Sequence, residues 1–135
     1  IMSQEMIITF PGGKRVDAAY AGFEFKTDQP ADHGGEGSAP SPFNCFLASL
    51  GTCAGFYALS FCAQRGIPTD GIRLVQRIKA RPEGGLGRVV LEIQVPPSFP
   101  EKYVKAIAHA ASACTVKKAI ESPPAFEVAT IVVEP

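Results

Sequence analysis

The residues best suited to chemistry in this sequence are four cysteines, Cys45, Cys53, Cys62 and Cys114. An ionised thiol is a nucleophile, a metal ligand or one half of a disulfide. No pair of them has the CxxC spacing of thioredoxin-type redox motifs or zinc ribbons. No basic segment followed by an apolar run opens the chain, so we expect a reducing, cytoplasmic compartment in which the thiols stay free.

Two of the cysteines have neighbours that bear on reactivity. Small residues surround Cys53, and they either admit a second helix or leave space for a substrate beside the thiol. Cys114 is followed by Thr115 and two lysines, so a helix starting near Thr115 would supply N–H groups and charge that lower the pKa of the thiol. The alternative for Cys114 is a buried thiol at a helix junction.

The remaining cysteines and the two histidines favour structural roles. Cys45, Cys53 and Cys62 do not share a face of an ideal helix, which argues against a metal cluster there. His33 lies in a glycine-rich loop and His109 on a predicted helix surface, so a Cys–His catalytic pair is unsupported.

The element that must position Cys53 is a long uncharged segment. No charged residue occurs in the 28 positions 37–64. Ser41 and Pro42 are typical of a helix start, and Gly66 and Pro68 predict its end. A helix of this length could cross a membrane, but its Asn, Ser, Thr and Gly residues favour a helix that protein surrounds on every side. A chain of 135 residues can hardly cover such a helix alone, which suggests oligomerisation.

The rest of the chain predicts a single α+β domain over residues 1–135, with the order βββ-α-ββ-αα-β. Three short strands precede the helix, and alternating apolar residues predict a hairpin over 71–95. Pro100 opens a second helix that breaks near Thr115, and 126–133 is a last strand.

The net charge of the chain argues against nucleic-acid binding. Lys plus Arg and Asp plus Glu both number 13, and zero net charge is unlike a nucleic-acid binder. One predicted strand does present four cations, which form either a solvated face or a site for an anionic partner: Arg73, Arg77, Lys79 and Arg81.

Four segments of the chain resemble the OsmC/Ohr family of osmotically inducible and organic hydroperoxide resistance proteins. These segments are Phe25-Lys-Thr-Asp-Gln-Pro30, Gly34-Gly-Glu-Gly-Ser-Ala-Pro-Ser-Pro-Phe43, Phe46-Leu-Ala-Ser-Leu-Gly-Thr-Cys53 and Ala113-Cys-Thr-Val116. The resemblance implies an intertwined homodimer in which antiparallel β-sheets from both chains wrap two long central helices. It places the chain closer to the broad OsmC-like group than to the best-studied hydroperoxide reductases.

The resemblance also implies a cysteine peroxidase that reduces organic hydroperoxides without metal or other cofactor. Cys53 matches the peroxidatic position, where a sulfenic acid forms. Cys114 matches the resolving position, and a small or lipoyl-type dithiol would reduce the resulting disulfide. The family activates its peroxidatic thiol with an Arg from an N-terminal strand, for which Arg15 is the candidate. Nucleic acid and membrane are not expected partners.

One position departs from the pattern of the active peroxidases. They carry a Glu nine or ten residues before the peroxidatic Cys, where this chain has Asn44 and Phe43. Glu36 could replace that carboxylate only if its loop folded over the site. Either Arg15 is less well positioned and the activity is weak, or the protein is a non-catalytic OsmC-like ligand-binding module with structural thiols.

Overall fold

A computed structural model gives the structure of residues 5–135. The regular elements follow the predicted order βββ-α-ββ-αα and confirm the α+β class. They are β1 (Ile7–Gly12), β2 (Arg15–Tyr20), β3 (Phe23–Thr27), α1 (Pro42–Gln64), β4 (Arg73–Ala80), β5 (Leu86–Gln94), α2 (Val104–Ala111) and α3 (Thr115–Glu121). Two compact units result, one ending at Ser49 and one comprising Leu50–Pro135. That the two form a single domain stays a prediction.

The N-terminal unit contains an antiparallel sheet in the order β1-β2-β3. Ala18 at its centre pairs with Ile8 on one side and with Phe25 on the other. Ala21 and Gly22 connect β2 to β3 with φ of 52° and 83°, as a two-residue hairpin turn requires. Large apolar side chains of β1 and β3 are nevertheless exposed, among them Phe10 and Phe23.

A buried carboxylate organises the loop between β3 and α1. Asp28 accepts hydrogen bonds from the Ser38 hydroxyl (2.6 Å), the Ser38 N–H (3.0 Å) and the Gln29 N–H (2.7 Å). The Asp28 N–H donates to the Pro40 carbonyl at 3.1 Å and so closes the loop. These donors, the Ser38 hydroxyl first, lower the pKa of Asp28 to about 2.

Both ends of α1 follow the predicted signals. The Ser41 hydroxyl accepts from the Asn44 N–H at 3.2 Å, which makes Ser41 the N-cap. Gly66, with φ of 64°, ends the helix, and the Ile67 N–H returns to the Cys62 carbonyl at 2.9 Å.

One face of α1 is buried in the described chain. Leu50, Ala54, Ala58 and Phe61 recur at helical spacing on that face, whereas Phe56, which lies elsewhere on the helix, is 60% exposed. By length and composition alone α1 could cross a membrane, a property that it shares with core helices of soluble proteins. The described single chain therefore leaves much of this apolar helix uncovered, as the charge pattern predicts.

The β4–β5 hairpin packs against the second half of α1 and against α2. Val75 pairs with Glu92 and Ile78 with Val89, in agreement with the predicted hairpin. The core cluster here contains five buried residues, with Leu74 and Ile93 of the hairpin packed against it: Ala58, Phe61, Cys62, Phe99 and Ile107.

A break separates α2 from α3 close to the predicted position. Residues 112–114 are not helical, and Cys114 is the N-cap of α3. Its sulfur accepts a hydrogen bond from the Lys117 N–H at 3.4 Å. The junction thus places a cysteine where a hydroxyl or carboxylate is the usual cap.

The strand expected at 126–133 is not formed in the structure. Residues 123–135 adopt no regular structure, and no strand of the described chain is bonded to them. Their apolar side chains are exposed, for example Val128 at 98%. A strand needs a neighbour for its N–H and C=O groups, and alternation along the sequence does not say which chain supplies one.

Candidate functional site

The structure brings Cys53 and Cys114 together. Cys53 lies on α1 and is partly exposed, whereas Cys114 at the start of α3 is only 2% exposed. Cys53 packs against the buried cluster that contains Cys114, and the Cys114 side chain helps to lower the pKa of the Cys53 thiol. Both thiols are free.

The start of α3 lowers the pKa of the Cys53 thiol. The Val116 N–H is the largest cause, and burial opposes it. The Cys114 side chain and both the N–H and the hydroxyl of Thr115 act in the same direction as Val116. Donors of this kind stabilise the thiolate and hence the nucleophilic form of Cys53. The sequence suggested N–H donors for Cys114, and the structure directs those of Thr115 and Val116 to Cys53.

Cys114 is held between two backbone groups. Its S–H donates to the Leu50 carbonyl at a sulfur–oxygen distance of 3.8 Å, and its sulfur accepts from the Lys117 N–H. The Lys117 ammonium donates to the Ser112 carbonyl at 3.2 Å. Buried Ala54 and Ala111 pack against Cys114. The thiol is therefore a buried residue at a helix junction and also a neighbour of Cys53.

The small residues around Cys53 have separate roles. A methyl group added to Gly51 would lie 2.9 Å from Oε1 of Gln76, so this glycine admits a side chain of β4. Ala54 is fully buried in the cluster that contains Cys114. A methyl group added to Gly55 would meet nothing within 4 Å in the described chain. Packing thus accounts for Gly51 and Ala54, and the space at Gly55 is open.

Arg15 lies on β2 in the N-terminal unit and is paired with a carboxylate of its own strand. Its Nη2 is 3.0 Å from Oδ2 and 3.2 Å from Oδ1 of Asp17. Sequence reasoning missed Asp17, although residues two apart on a strand share a face. Phe43 and Asn44, at the family's Glu positions, are exposed at the start of α1.

The other two cysteines differ in exposure. Cys62 is 1% exposed in the core, and burial raises its pKa, which agrees with the predicted packing role. Cys45 is exposed on α1. Within residues 5–135, His, Cys, Asp and Glu side chains form no group of three that could hold a metal ion.

Two hydroxyl residues beside Cys53 were not singled out from the sequence. Tyr57 Oη lies 2.9 Å from Thr115 Oγ1, and Thr115 also contacts Cys53. The available signal was the spacing of Cys53 and Tyr57, because residues four apart share a helix face.

The cationic row on β4 is partly neutralised by β5. Arg77 lies 2.9 Å from a Glu92 oxygen, and Arg73 donates to the Gln94 side chain at 2.7 Å. These contacts favour a solvated strand face over an anion site.

An apolar cavity of about 560 Å³ lies in the second unit beside Cys114. Leu91 and Ile93 of β5, Ile107 of α2 and Ile120 of α3 contribute to its wall. Cys114 lines the cavity and Cys53 does not.

The chain matches one protein family and many solved structures. Residues 35–129 match the family described as OsmC-like protein. No curated protein matches.

Three solved structures are similar over most of the chain, all at identities that establish only the fold. A Psychrobacter arcticus protein, provisionally described as an osmotic stress induced and detoxification response protein, has a TM-score of 0.70 at 24% identity, covering 87% of this chain and 88% of its own. An OsmC like protein from Mycoplasma pneumoniae has a TM-score of 0.66 at 14% identity, with 90% and 89% covered. A Legionella pneumophila protein described as an organic hydroperoxide resistance protein OsmC has a TM-score of 0.56 at 17% identity, with 89% and 90% covered. Because the family match spans more than half of the sequence, the chain belongs to the OsmC-like protein family.

Proposed function

We propose that this OsmC-like protein is a cysteine-based peroxidase that reduces organic hydroperoxides, with Cys53 as the attacking thiolate and Cys114 as the resolving thiol. The observation that carries the proposal is that Cys53, a thiol of lowered pKa, packs against the cluster that contains the second thiol, Cys114. Family membership supports it, as does the fold shared with a protein described as an organic hydroperoxide resistance protein.

The proposed reaction has three balanced steps. The Cys53 thiolate attacks the terminal oxygen of ROOH, the O–O bond breaks, and the alkoxide leaves and takes up a proton as ROH. The product on Cys53 is a sulfenic acid. The Cys114 sulfur then attacks the Cys53 sulfur and its proton leaves with the hydroxyl group as water, so that a disulfide forms. A dithiol reductant, small or lipoyl-type, returns two electrons and two protons to the pair.

The proposal requires no metal or organic cofactor, because sulfur alone accepts and passes on the oxidising equivalents. Arg15 stays the candidate for the basic residue that assists Cys53. Its ion pair with Asp17 supports a role for Asp17 as the carboxylate that orients this guanidinium, in place of the Glu that is absent from positions 43 and 44. The test is whether Arg15→Met lowers peroxide reduction more than Lys14→Met.

The decisive experiment compares Cys53→Ser with the unmodified chain and with Cys45→Ser. With cumene hydroperoxide and dithiothreitol, we expect Cys53→Ser to reduce peroxide consumption to the background rate. Cys45→Ser removes an exposed thiol of the same helix and should retain activity. A background rate for the unmodified chain would refute the peroxidase, and full activity of Cys53→Ser would refute the assignment of the thiol.

The apolar cavity favours a second candidate function, the binding of an apolar ligand without chemistry. It reaches Cys114 but not Cys53, so a molecule seated there would not meet the proposed nucleophile. A fluorescent apolar probe, anilinonaphthalene sulfonate, would bind the unmodified chain and lose affinity in Ala108→Phe, whose side chain would fill the cavity. Probe binding in a chain that is inactive toward peroxide would favour this second function.

We further propose that the protein is a cytoplasmic homodimer. Apolar residues are exposed on β1, β3, α1 and the segment 126–133, for example Ile7, Phe25, Leu59 and Val132. Exposed apolar surface on this scale is typical of a protein interface, and the segment 126–133 is free to pair with a strand of a second chain. Sedimentation should give about twice the chain mass of 14.3 kDa. A mass near 14.3 kDa would contradict the dimer.

A further inference from the structure

Tyr57 lies one helical turn beyond Cys53 on the same face of α1. Its ring packs edge-on against Phe56, with ring centres 5.5 Å apart and planes at 77°. Its phenolic oxygen lies 2.9 Å from Thr115 Oγ1 across the gap to α3. The ring therefore contacts Phe56, and the hydroxyl is directed at Thr115, a neighbour of Cys53.

Thr115 connects this hydroxyl to the thiol. Its side chain is hydrogen bonded to Tyr57 and helps to lower the pKa of the neighbouring Cys53 thiol. A threonine hydroxyl has a single proton to donate. When Tyr57 donates to Thr115 Oγ1, the Thr115 proton is left for the Cys53 sulfur, and the two hydrogen bonds polarise each other. Without Tyr57, the Thr115 hydroxyl would be free to rotate toward water.

We propose that Tyr57 is a positioning residue for Cys53, and that its hydroxyl acts through the hydroxyl of Thr115 to hold a proton donor on the Cys53 thiolate. The inference rests on the proposed function in one respect, since it gives this donor a use in the attack on peroxide. It adds to that function a relay of two hydroxyl groups, Tyr57 to Thr115 to Cys53, that spans α1 and α3.

Cys114 and Lys117 are among the other titratable groups at the start of α3. The Cys114 side chain helps to lower the pKa of Cys53, and the Lys117 ammonium is directed to the Ser112 carbonyl. The substitutions that test the relay leave both groups in place.

The test measures the pH dependence of alkylation of Cys53 by iodoacetamide, followed on the Cys53 peptide by mass spectrometry. A hydrogen bond to a charged group has a net effect equivalent to about 1 to 2 pH units. We expect Thr115→Val to raise the midpoint by that amount and Tyr57→Phe to raise it by about half as much. Thr115→Ser keeps the hydroxyl and should restore the unmodified midpoint. Adding Tyr57→Phe to Thr115→Val should give no further shift, because Tyr57 acts through Thr115.

Tyr103→Phe is the matched control, because Tyr103 packs edge-on against Phe61, two turns away from Cys53 on α1. The pH midpoint of Cys53 alkylation in Tyr103→Phe should equal that of the unmodified chain. An unchanged midpoint in Tyr57→Phe, or an additive shift in the double variant, would overturn the inference. The alkylation assay needs no peroxide, so it separates this inference from the peroxidase proposal: a chain inactive toward hydroperoxides with a shifted Tyr57→Phe midpoint would retain the relay, and an active chain with no shift would not.

Discussion

Cys53 on α1 packs against the cluster that contains Cys114, the N-cap of α3. Residues that are distant in the sequence thus meet, and a buried thiol lies next to one of lowered pKa. Close approach of two sulfurs is the geometric requirement for a disulfide.

The first prediction concerns the second step of the proposed reaction. With one equivalent of cumene hydroperoxide, the unmodified chain should form a Cys53–Cys114 disulfide, detected by peptide mapping. Cys114→Ser should instead accumulate a sulfenic acid on Cys53, trapped by dimedone, because no thiol is available to condense with it. Cys45→Ser is the control and should form the disulfide as the unmodified chain does. A disulfide from Cys53 to Cys45 or Cys62 would contradict the assignment.

The second prediction concerns acid stability. The pKa of Asp28 is lowered from 3.8 to about 2 in the folded chain, so its ionised form stabilises the fold at pH above 3.8 and this contribution is lost as the pH falls through 2. Asp28→Asn should lower the urea midpoint at pH 7, and the difference from the unmodified chain should shrink between pH 4 and pH 2. Asp32→Asn, at an exposed position of the same loop, should have a small effect. A difference independent of pH would contradict the assigned cause.

The third prediction concerns the core of the second unit. Ile107 is 1% exposed, and its truncation removes packing that the surroundings recover only in part. Ile107→Ala should reduce the free energy of unfolding by about 2 to 5 kcal/mol and Ile107→Val by about 0.5 to 1.5 kcal/mol. Ile120→Ala, at a half-exposed position of α3, should cost about 0.5 kcal/mol or less. Urea denaturation followed by circular dichroism would measure all three, and equal losses for Ile107→Ala and Ile120→Ala would show that Ile107 is not in the core.

The fourth prediction concerns the end of α1. Gly66 has a φ of 64°, a conformation that costs a residue with a Cβ about 1 to 2 kcal/mol. Gly66→Ala should destabilise the chain by about that amount. Gly55→Ala should instead stabilise the chain. A methyl group at position 55 meets no atom within 4 Å, and alanine is more favourable than glycine in a helix interior by about 1 kcal/mol. Destabilisation by Gly55→Ala would indicate that another surface packs on this position. Thermal unfolding of the two variants provides the measurement.

Local signals predicted most of the elements. Ser41 and Pro42 mark the start of α1 and Gly66 its end, because caps and glycine turns are properties of a few adjacent residues. The alternation of apolar and polar residues likewise predicted the β4–β5 hairpin. The strand expected at 126–133 depends on a bonding partner that its own residues do not specify, and it is not formed in the described chain.

The candidate site was predicted only in part, because its contacts are far apart in the sequence. Cys53 and Cys114 came from a family resemblance, and their contact depends on how α3 meets α1. The Tyr57–Thr115 hydrogen bond has no local sequence signature. The Arg15–Asp17 pair, in contrast, could be predicted, since residues two apart on β2 share a face.

At the N-cap of α3, the requirements of helix stability and of thiol chemistry can be distinguished, because only the second needs the sulfur of Cys114. Serine, threonine, aspartate and asparagine cap helices well, and a serine hydroxyl at position 114 would have available the Lys117 N–H that Cys114 uses. Selection for a stable helix start alone would therefore give no preference for sulfur at this position. Replacement of Cys114 would therefore cost little stability. Under the proposed function, a thiol retained at this position in a related sequence would indicate redox use.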